Sequence, residues 1–254
     1  MILDIRNLDF KYDKKKVLKN ISFSAASGEL IMLIGPNGSG KSTLLKCISS
    51  YLKADNGEIK IYDRSISSYQ KNKLAELIAY VPQQKEYNFP MTVFEAVLMG
   101  RKPYSSWAAS ERDKEITAEI IAELNLEDIA FTNINKLSGG QKQKVYLARA
   151  AAQESQIILL DEPTNNLDLK HQLELFQLIK KEAVSGKTII ITMHDLGLVS
   201  RFGERIIILK EGEIFSDGDK GSLTAEKIND VYGVEVSLKE HNGNQFIIPE
   251  KIVV

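Results

Sequence analysis

The chain has 254 residues, with 33 Lys and Arg against 34 Asp and Glu, for a formal net charge of −1. Hydrophobic residues at 43% and charged residues at 26% match globular usage, at a length that suits one α/β domain or two small ones, so disordered and fibrous classes are excluded. The balanced charge argues against nucleic acid as the main partner. Cys47, the single cysteine, can form neither an intramolecular disulfide nor a thiolate metal cage, so a reducing, cytoplasmic setting is expected. No run approaches the roughly 18 apolar residues of a spanning helix. The opening MILDIRNLDFKYD alternates and carries charge early, unlike a signal peptide.

In chain order, Ile2–Phe10, Val17–Ala25 and Leu30–Ile34 carry β-branched or aromatic residues near alternate positions and read as strands. A Gly-rich turn follows, then Lys41–Leu52 at helical spacing, with Leu44, Leu45 and Ile48 on one face. Gly57–Tyr62 and Ile78–Pro82 read as further strands. From about residue 86 helical patterns take over: Thr92–Met99, Ser110–Leu124 and Lys142–Ala152, in a stretch that also holds the sole Trp, Trp107. The change predicts a helical subdomain of about residues 86–155 inserted in an α/β frame. The apolar runs Ile157–Leu160, Thr188–Thr192 and Arg205–Leu209, with amphipathic Leu169–Val184 among them, predict a parallel sheet covered on both faces. Val234–Lys239 and Gln245–Ile248 flank an Asn242-Gly243 pair, so a hairpin of about residues 234–248 is expected at the end. The expectation is one α/β domain over 1–254, with a mainly parallel sheet and an antiparallel β-subdomain at its N-terminus.

Three motifs carry chemistry. Gly35-Pro-Asn-Gly-Ser-Gly-Lys-Ser-Thr43 follows an apolar strand and opens a helix, the context of a phosphate loop. Its glycines permit a tight turn whose N–H groups face inward, and the helix start adds positive potential. Asn37, Gly38, Ser39, Gly40, Lys41, Ser42 and Thr43 are therefore expected to hold the phosphates of a nucleotide, with Lys41 on β- and γ-oxygens and Ser42 on Mg²⁺. Asp161-Glu162 ends a buried strand, where ligands bind in open α/β sheets. Asp161 suits Mg²⁺, and Glu162 suits orientation or deprotonation of the attacking water. Ser138-Gly139-Gly140-Gln141 precedes a long helical stretch and reads as a second anion-binding helix start.

In that order, GPNGSGKST, LSGGQ and ILLDEP resemble the nucleotide-binding subunit of an ATP-binding cassette (ABC) transporter, a P-loop NTPase. The resemblance implies ATP and Mg²⁺ as ligands. It places Tyr12 against adenine, Gln83 in the Q-loop that senses Mg²⁺ and the membrane partner, and His194 on the γ-phosphate. It makes Glu162, His194, Gln83 and Lys41 the residues closest to the chemistry, with Ser42, Gln83 and Asp161 around the metal. Ser138–Gln141 would face ATP held by a second copy, in a homodimer. Asn166-Leu-Asp168 matches the D-loop, though Asn165 and Asn166 stand where the family more often has Ser-Ala. Met99-Gly-Arg-Lys-Pro-Tyr104 and Asp230-Val-Tyr-Gly-Val234 resemble importers of iron chelates, haem and cobalamin. The expected partners are then transmembrane permease subunits and, through them, a substrate-binding protein, with the chain peripheral on the inner membrane face. A soluble ABC ATPase, for example in iron–sulfur assembly, and an importer of another substrate such as a metal ion are the alternatives.

Overall fold

The computed structural model describes residues 1–83, 90–105, 108–165, 167–241 and 244–253. Phe89, Trp107, Asn166 and the Asn242-Gly243 turn lie outside the described residues. The chain forms two compact units, Met1–Ser68 with Ala183–Val254, and Tyr69–Glu182.

In the first unit, strands β1 (Leu3–Tyr12) and β2 (Lys15–Ala25) form a hairpin whose tight turn holds Asp13 at φ 50°. β1 also pairs with β4 (Asn56–Ile61), which pairs with the short β5 (Arg64–Ser65), giving the antiparallel order β2-β1-β4-β5. The second layer is built on β3 (Leu30–Ile34), flanked in parallel by β8 (Thr188–Thr192) and β9 (Arg205–Lys210). β10 (Glu213–Asp219) closes on β9 antiparallel. β3 and β8 are buried throughout, as strands covered on both faces must be.

Two features stitch these layers together. The Lys19 N–H donates to Gly212 O at 2.8 Å, at the β9–β10 turn. Arg205 bonds Ser24 O at 2.8 Å and Glu29 at 2.9 Å, while gripping both oxygens of Asp217. Helix α1 (Lys41–Ile48) ends earlier than the apolar spacing suggests, because Ser50 turns into the left-handed region at φ 59°. Helices α7 (Leu196–Phe202) and α8 (Ala225–Tyr232) precede a C-terminal pair, β11 (Val234–His241) and β12 (Asn244–Ile252).

The second unit starts ahead of the expected helical stretch and ends beyond it. It takes in α2 (Lys71–Leu77), a parallel pair β6 (Ile78–Val81) and β7 (Ile157–Asp161), and α6 (Leu169–Val184). Between them lie α3 (Val93–Leu98), α4 (Glu111–Glu123) and α5 (Gly139–Ala152). All three inserted helices begin with a reciprocal capping box: Thr92 with Glu95, Ser110 with Asp113 and Ser138 with Gln141. Because Ser138 caps the backbone so effectively, α5 starts at Gly139, three residues before the apolar pattern does.

Arg101 ties these helices together. Only 5% exposed, it bonds Asp113 at 3.0 Å, Ala152 O at 2.7 Å and Glu154 at 2.6 Å, and packs over the Tyr104 ring. While the neighbouring Lys102 is exposed, Arg101 is buried within the helices. Gly100 is required beside it, since a Cβ there would lie 2.3 Å from Arg149 O.

Candidate functional site

The phosphate loop follows β3 and is a backbone construction. Gly35 has φ 145°, and a Cβ on it would sit 2.1 Å from Leu209 O; Gly40 has φ 105°, and its Cβ would meet Leu18 Cδ2 at 2.8 Å. No other residue fits either position without moving a strand. No side chain caps α1, and Leu44 N bonds back to Gly40 O at 2.8 Å. The helix mouth is thus left open toward the loop, the arrangement that binds phosphate.

The loop's side chains fit such a ligand. Lys41 is buried, and its Nζ donates to Gly35 O at 2.7 Å and Pro36 O at 3.0 Å, which holds the ammonium inside the curl of the loop. Ser39 Oγ is buried without a hydrogen-bond partner among the described residues, a polar atom that a phosphate oxygen would satisfy. Tyr232, from the Asp230–Val234 motif, packs its ring inside the same unit. Burial pushes its phenol up to about 12, while the neighbouring Gly35 backbone acts in the opposite direction.

Tyr12 ends β1 and is 45% exposed, with its ring edge-on to Phe10 at 4.8 Å. Phe10 pairs with Leu18, and Leu18 lies against Gly40, so the hairpin that presents Tyr12 is packed onto the phosphate loop. His194 comes two residues after β8, and Thr192 pairs in register with Leu33 of β3. His194 and the phosphate loop therefore leave the carboxyl ends of adjacent parallel strands. His194 is exposed. Cys47 does sit in the core, and burial raises its thiol to about 12.

The second unit repeats this logic with side chains. Val81 of β6 is in register with Leu160 of β7, so Gln83 and Glu162 follow neighbouring strand ends. Gln83 Nε2 donates to Glu162 Oε2 at 2.6 Å, and Asn165 Nδ2 donates to the same oxygen at 2.7 Å. Glu162 itself lies at φ 49°, a left-handed conformation that costs a non-glycine residue about 1–2 kcal/mol. Asp161, 3% exposed, accepts from Tyr80 OH at 3.2 Å. Asn165, whose part the sequence leaves open, thus braces the proposed base. Tyr80 escapes sequence reasoning because it belongs to no spaced motif, and its signal is the strand register; Asn165 is singled out beside the D-loop, but its part shows only in its contact with Glu162.

Ser138 Oγ accepts from Gln141 N at 3.3 Å, and Gln141 Oε1 accepts from Ser138 N at 3.0 Å. A hydroxyl that accepts in this way keeps its proton for a further acceptor. Ser138 can therefore cap α5 and donate to an anion together, whereas the Gln141 carbonyl is turned back on the helix. After β7, Asp168 opens α6: its Oδ1 accepts from His171 N at 2.9 Å and lies 2.7 Å from His171 Nδ1. These two bonds, the backbone one first, hold the Asp168 carboxyl below its usual range.

The family profile of the ABC transporter matches residues 18–165. An uncharacterized ABC transporter ATP-binding protein of Methanocaldococcus jannaschii is 46% identical over 250 residues, 98% of each chain. A hemin import ATP-binding protein of Thermobifida fusca is 34% identical over 98% of this chain and 89% of that one. The solved dimeric structure of an ATP-binding cassette in a post-hydrolysis state with ADP and Pi is 33% identical and superposes with a TM-score of 0.76, over 86% of this chain and 99% of that one. The chain belongs to the ABC transporter family. Its fold is that of the ATP-binding cassette, and its activity is ATP hydrolysis.

Proposed function

We propose that the chain is the ATP-hydrolysing subunit of an importer for an iron chelate, haem or cobalamin, and that it works as a homodimer on membrane permease subunits fed by a substrate-binding protein. One observation carries this reading. The phosphate loop, Gln83, the Asp161-Glu162 pair and His194 each leave the carboxyl end of a parallel strand, and Ser138–Gln141 opens a helix, where ligands bind in α/β sheets. The hemin-import relative, aligned over 98% of the chain, supports the cargo class.

In this reading Tyr12 stacks on adenine, and Asn37–Thr43 cradle the phosphates with Lys41 neutralising their charge. Glu162 orients and deprotonates the attacking water, and His194 contacts the γ-phosphate. The Ser42 hydroxyl, the buried Asp161 carboxylate and the Gln83 amide each offer oxygen, the donor a hard cation takes, so each would serve as a ligand to Mg²⁺. Bound there, Mg²⁺ supplies charge neutralisation at the β- and γ-oxygens.

Among the described residues no helix is long and apolar enough to cross a membrane, so membrane attachment falls to the partners. The Phe89-Pro90-Met91 segment and α3 would receive a coupling helix of the permease. Phe89 lies outside the described residues. Phe94 of α3 stacks at 6.3 Å on Phe131, which is 83% exposed, an apolar patch suited to that contact.

A triphosphate on Gly35–Thr43 needs further donors and exclusion of water before electrostatic stabilisation becomes large. Ser138–Gln141 of a second copy would supply them. Activity per chain should then rise with protein concentration, and mixing Ser138→Arg with Lys41→Ala chains should restore about one intact site per mixed dimer, read by nucleotide trapping and turnover. A specific activity that stays flat over a wide range, with the protein monomeric throughout, would overturn the dimer.

A further inference from the structure

We propose that His171 is a positioning residue that locks the second glycine of the signature, Gly140, to the loop carrying Glu162. The proposal rests on the nucleotide reading above and deepens it.

The geometry is confined to the second unit. A Cβ built on Gly140 would lie 3.2 Å from His171 Cγ and 3.3 Å from its Cδ2 and Nδ1. The imidazole therefore covers the one face of Gly140 where any other residue carries a side chain. The same ring reaches Asp168 Oδ1 through Nδ1 at 2.7 Å. Asp168 terminates a loop held by successive turns: Asn165 N bonds Glu162 O at 3.3 Å, Leu167 N bonds Thr164 O at 3.2 Å, and the Asn165 amide clasps the Glu162 carboxylate.

Glu162 is thus bonded to Asn165, Thr164 to Leu167, and Asp168 to His171, whose ring faces the start of α5. Glu162 would serve the ATP on its own chain, and Gly140 would address ATP on the other. His171 stands where those two loyalties meet. A plain helix cap explains why Asp168 lies here, since its Oδ1 accepts from the His171 backbone N–H in the first turn of α6. It does not explain a ring seated on Gly140.

The surroundings leave the ring room to respond. His171 and Gly140 both line a cavity of about 370 Å³ together with Gln143, Lys144, Glu174 and Leu147. The charged groups nearest the ring are Asp168, Glu174 and Lys170 from its own segment and Lys144 from α5, with Lys144 and Glu174 paired at 2.6 Å. A smaller side chain at 171 opens this wall while leaving the α6 cap and the ion pair in place.

The test is steady-state ATPase of the purified full-length chain against ATP concentration. His171→Ala should lower turnover about 3–10-fold with KM for ATP moving less than about twofold, the signature of an interaction felt in the transition state. Gly140→Ala should impair turnover strongly beside His171 and clearly less in the His171→Ala background, because the added methyl then has space. His171→Asn, which keeps a donor for Asp168 and loses the ring, should melt like the parent chain and still lose turnover. Unchanged turnover in folded His171→Ala or His171→Asn would overturn the proposal, as would strictly additive effects in the Gly140 pair. Lys41→Ala separates the two readings. If it retains hydrolysis, the nucleotide site fails and this proposal with it; if it loses hydrolysis while His171→Ala is normal, this proposal alone fails.

Discussion

Each of the two compact units builds its candidate functional residues from different materials. The first uses backbone: two glycines at φ 145° and 105°, pressed against Leu209 and Leu18, shape the loop proposed to hold the phosphates. The second uses side chains: a Glu at φ 49° receives Gln83 and Asn165, an Asp receives Tyr80, and another Asp receives His171. A backbone site tolerates almost no change at its glycines but depends on few side chains. A side-chain site spreads its precision over several partners, each worth about 0.5–3 kcal/mol. The phosphate half should therefore fail abruptly when mutated and the carboxylate half by degrees.

The largest effect should come from the one side chain that the backbone site depends on. Lys41→Ala removes the ammonium held on Gly35 O and Pro36 O, and hydrolysis by the folded protein should vanish. Near-normal turnover would show that the loop works by its peptide groups alone and would break the comparison.

Glu162→Gln comes next. The amide keeps one oxygen for Gln83 and Asn165 but loses its basicity, so turnover should fall by about 10²–10⁴ while ATP still binds and a nucleotide-trapped dimer accumulates. Turnover within a few-fold of the parent would pass the role of base to another group, His194 first.

Tyr12→Ala probes a side chain in the backbone-built unit. Loss of stacking should weaken nucleotide binding by about 1–3 kcal/mol in a titration. Unchanged affinity would mean that the exposed ring packs on Phe10 and has no part in binding.

The smallest effect belongs to the bracing amide. Asn165→Ala removes a donor to Glu162 Oε2, and turnover should drop about 3–10-fold with KM for ATP nearly constant. A loss as deep as that of Glu162→Gln would make the carboxylate network as brittle as the phosphate loop. The contrast between the units would then disappear.

Much of this was readable before any coordinates. Alternation and apolar runs placed β3, β8 and α6 to the residue, because strands covered on both faces and long amphipathic helices leave strong periodic marks. Helical patterns over Thr92–Met99 and Ser110–Leu124 marked α3 and α4 as well, and the structure adds the caps at Thr92 and Ser110. The short amphipathic pieces escaped: α2, α7 and α8 span seven or eight residues, too few turns for a period to stand out, and β10 alternates with polar residues on its exposed face. At the site, Gly35–Thr43, Ser138–Gln141 and Asp161-Glu162 were legible because each needs particular residue types at fixed local spacing.

What the sequence determined alone was everything set by local chemistry: the loop glycines, the caps, the strand that delivers an acid pair and the family to which the chain belongs. What only the tertiary structure decided was which side chains meet across long stretches of chain. Tyr80 and Asp161 are 81 positions apart, and Gln83 and Glu162 are 79 apart. Their pairing follows from the parallel register of β6 on β7, a non-local arrangement that no spacing encodes. Arg101 was similarly undecidable, since a charged side chain is buried only where Asp113, Glu154 and a carbonyl converge to receive it. His171 reads in the sequence as one more helix residue. Its ring faces Gly140 near the point where Lys144 of α5 pairs with Glu174 of α6, contacts between helices that no local spacing encodes.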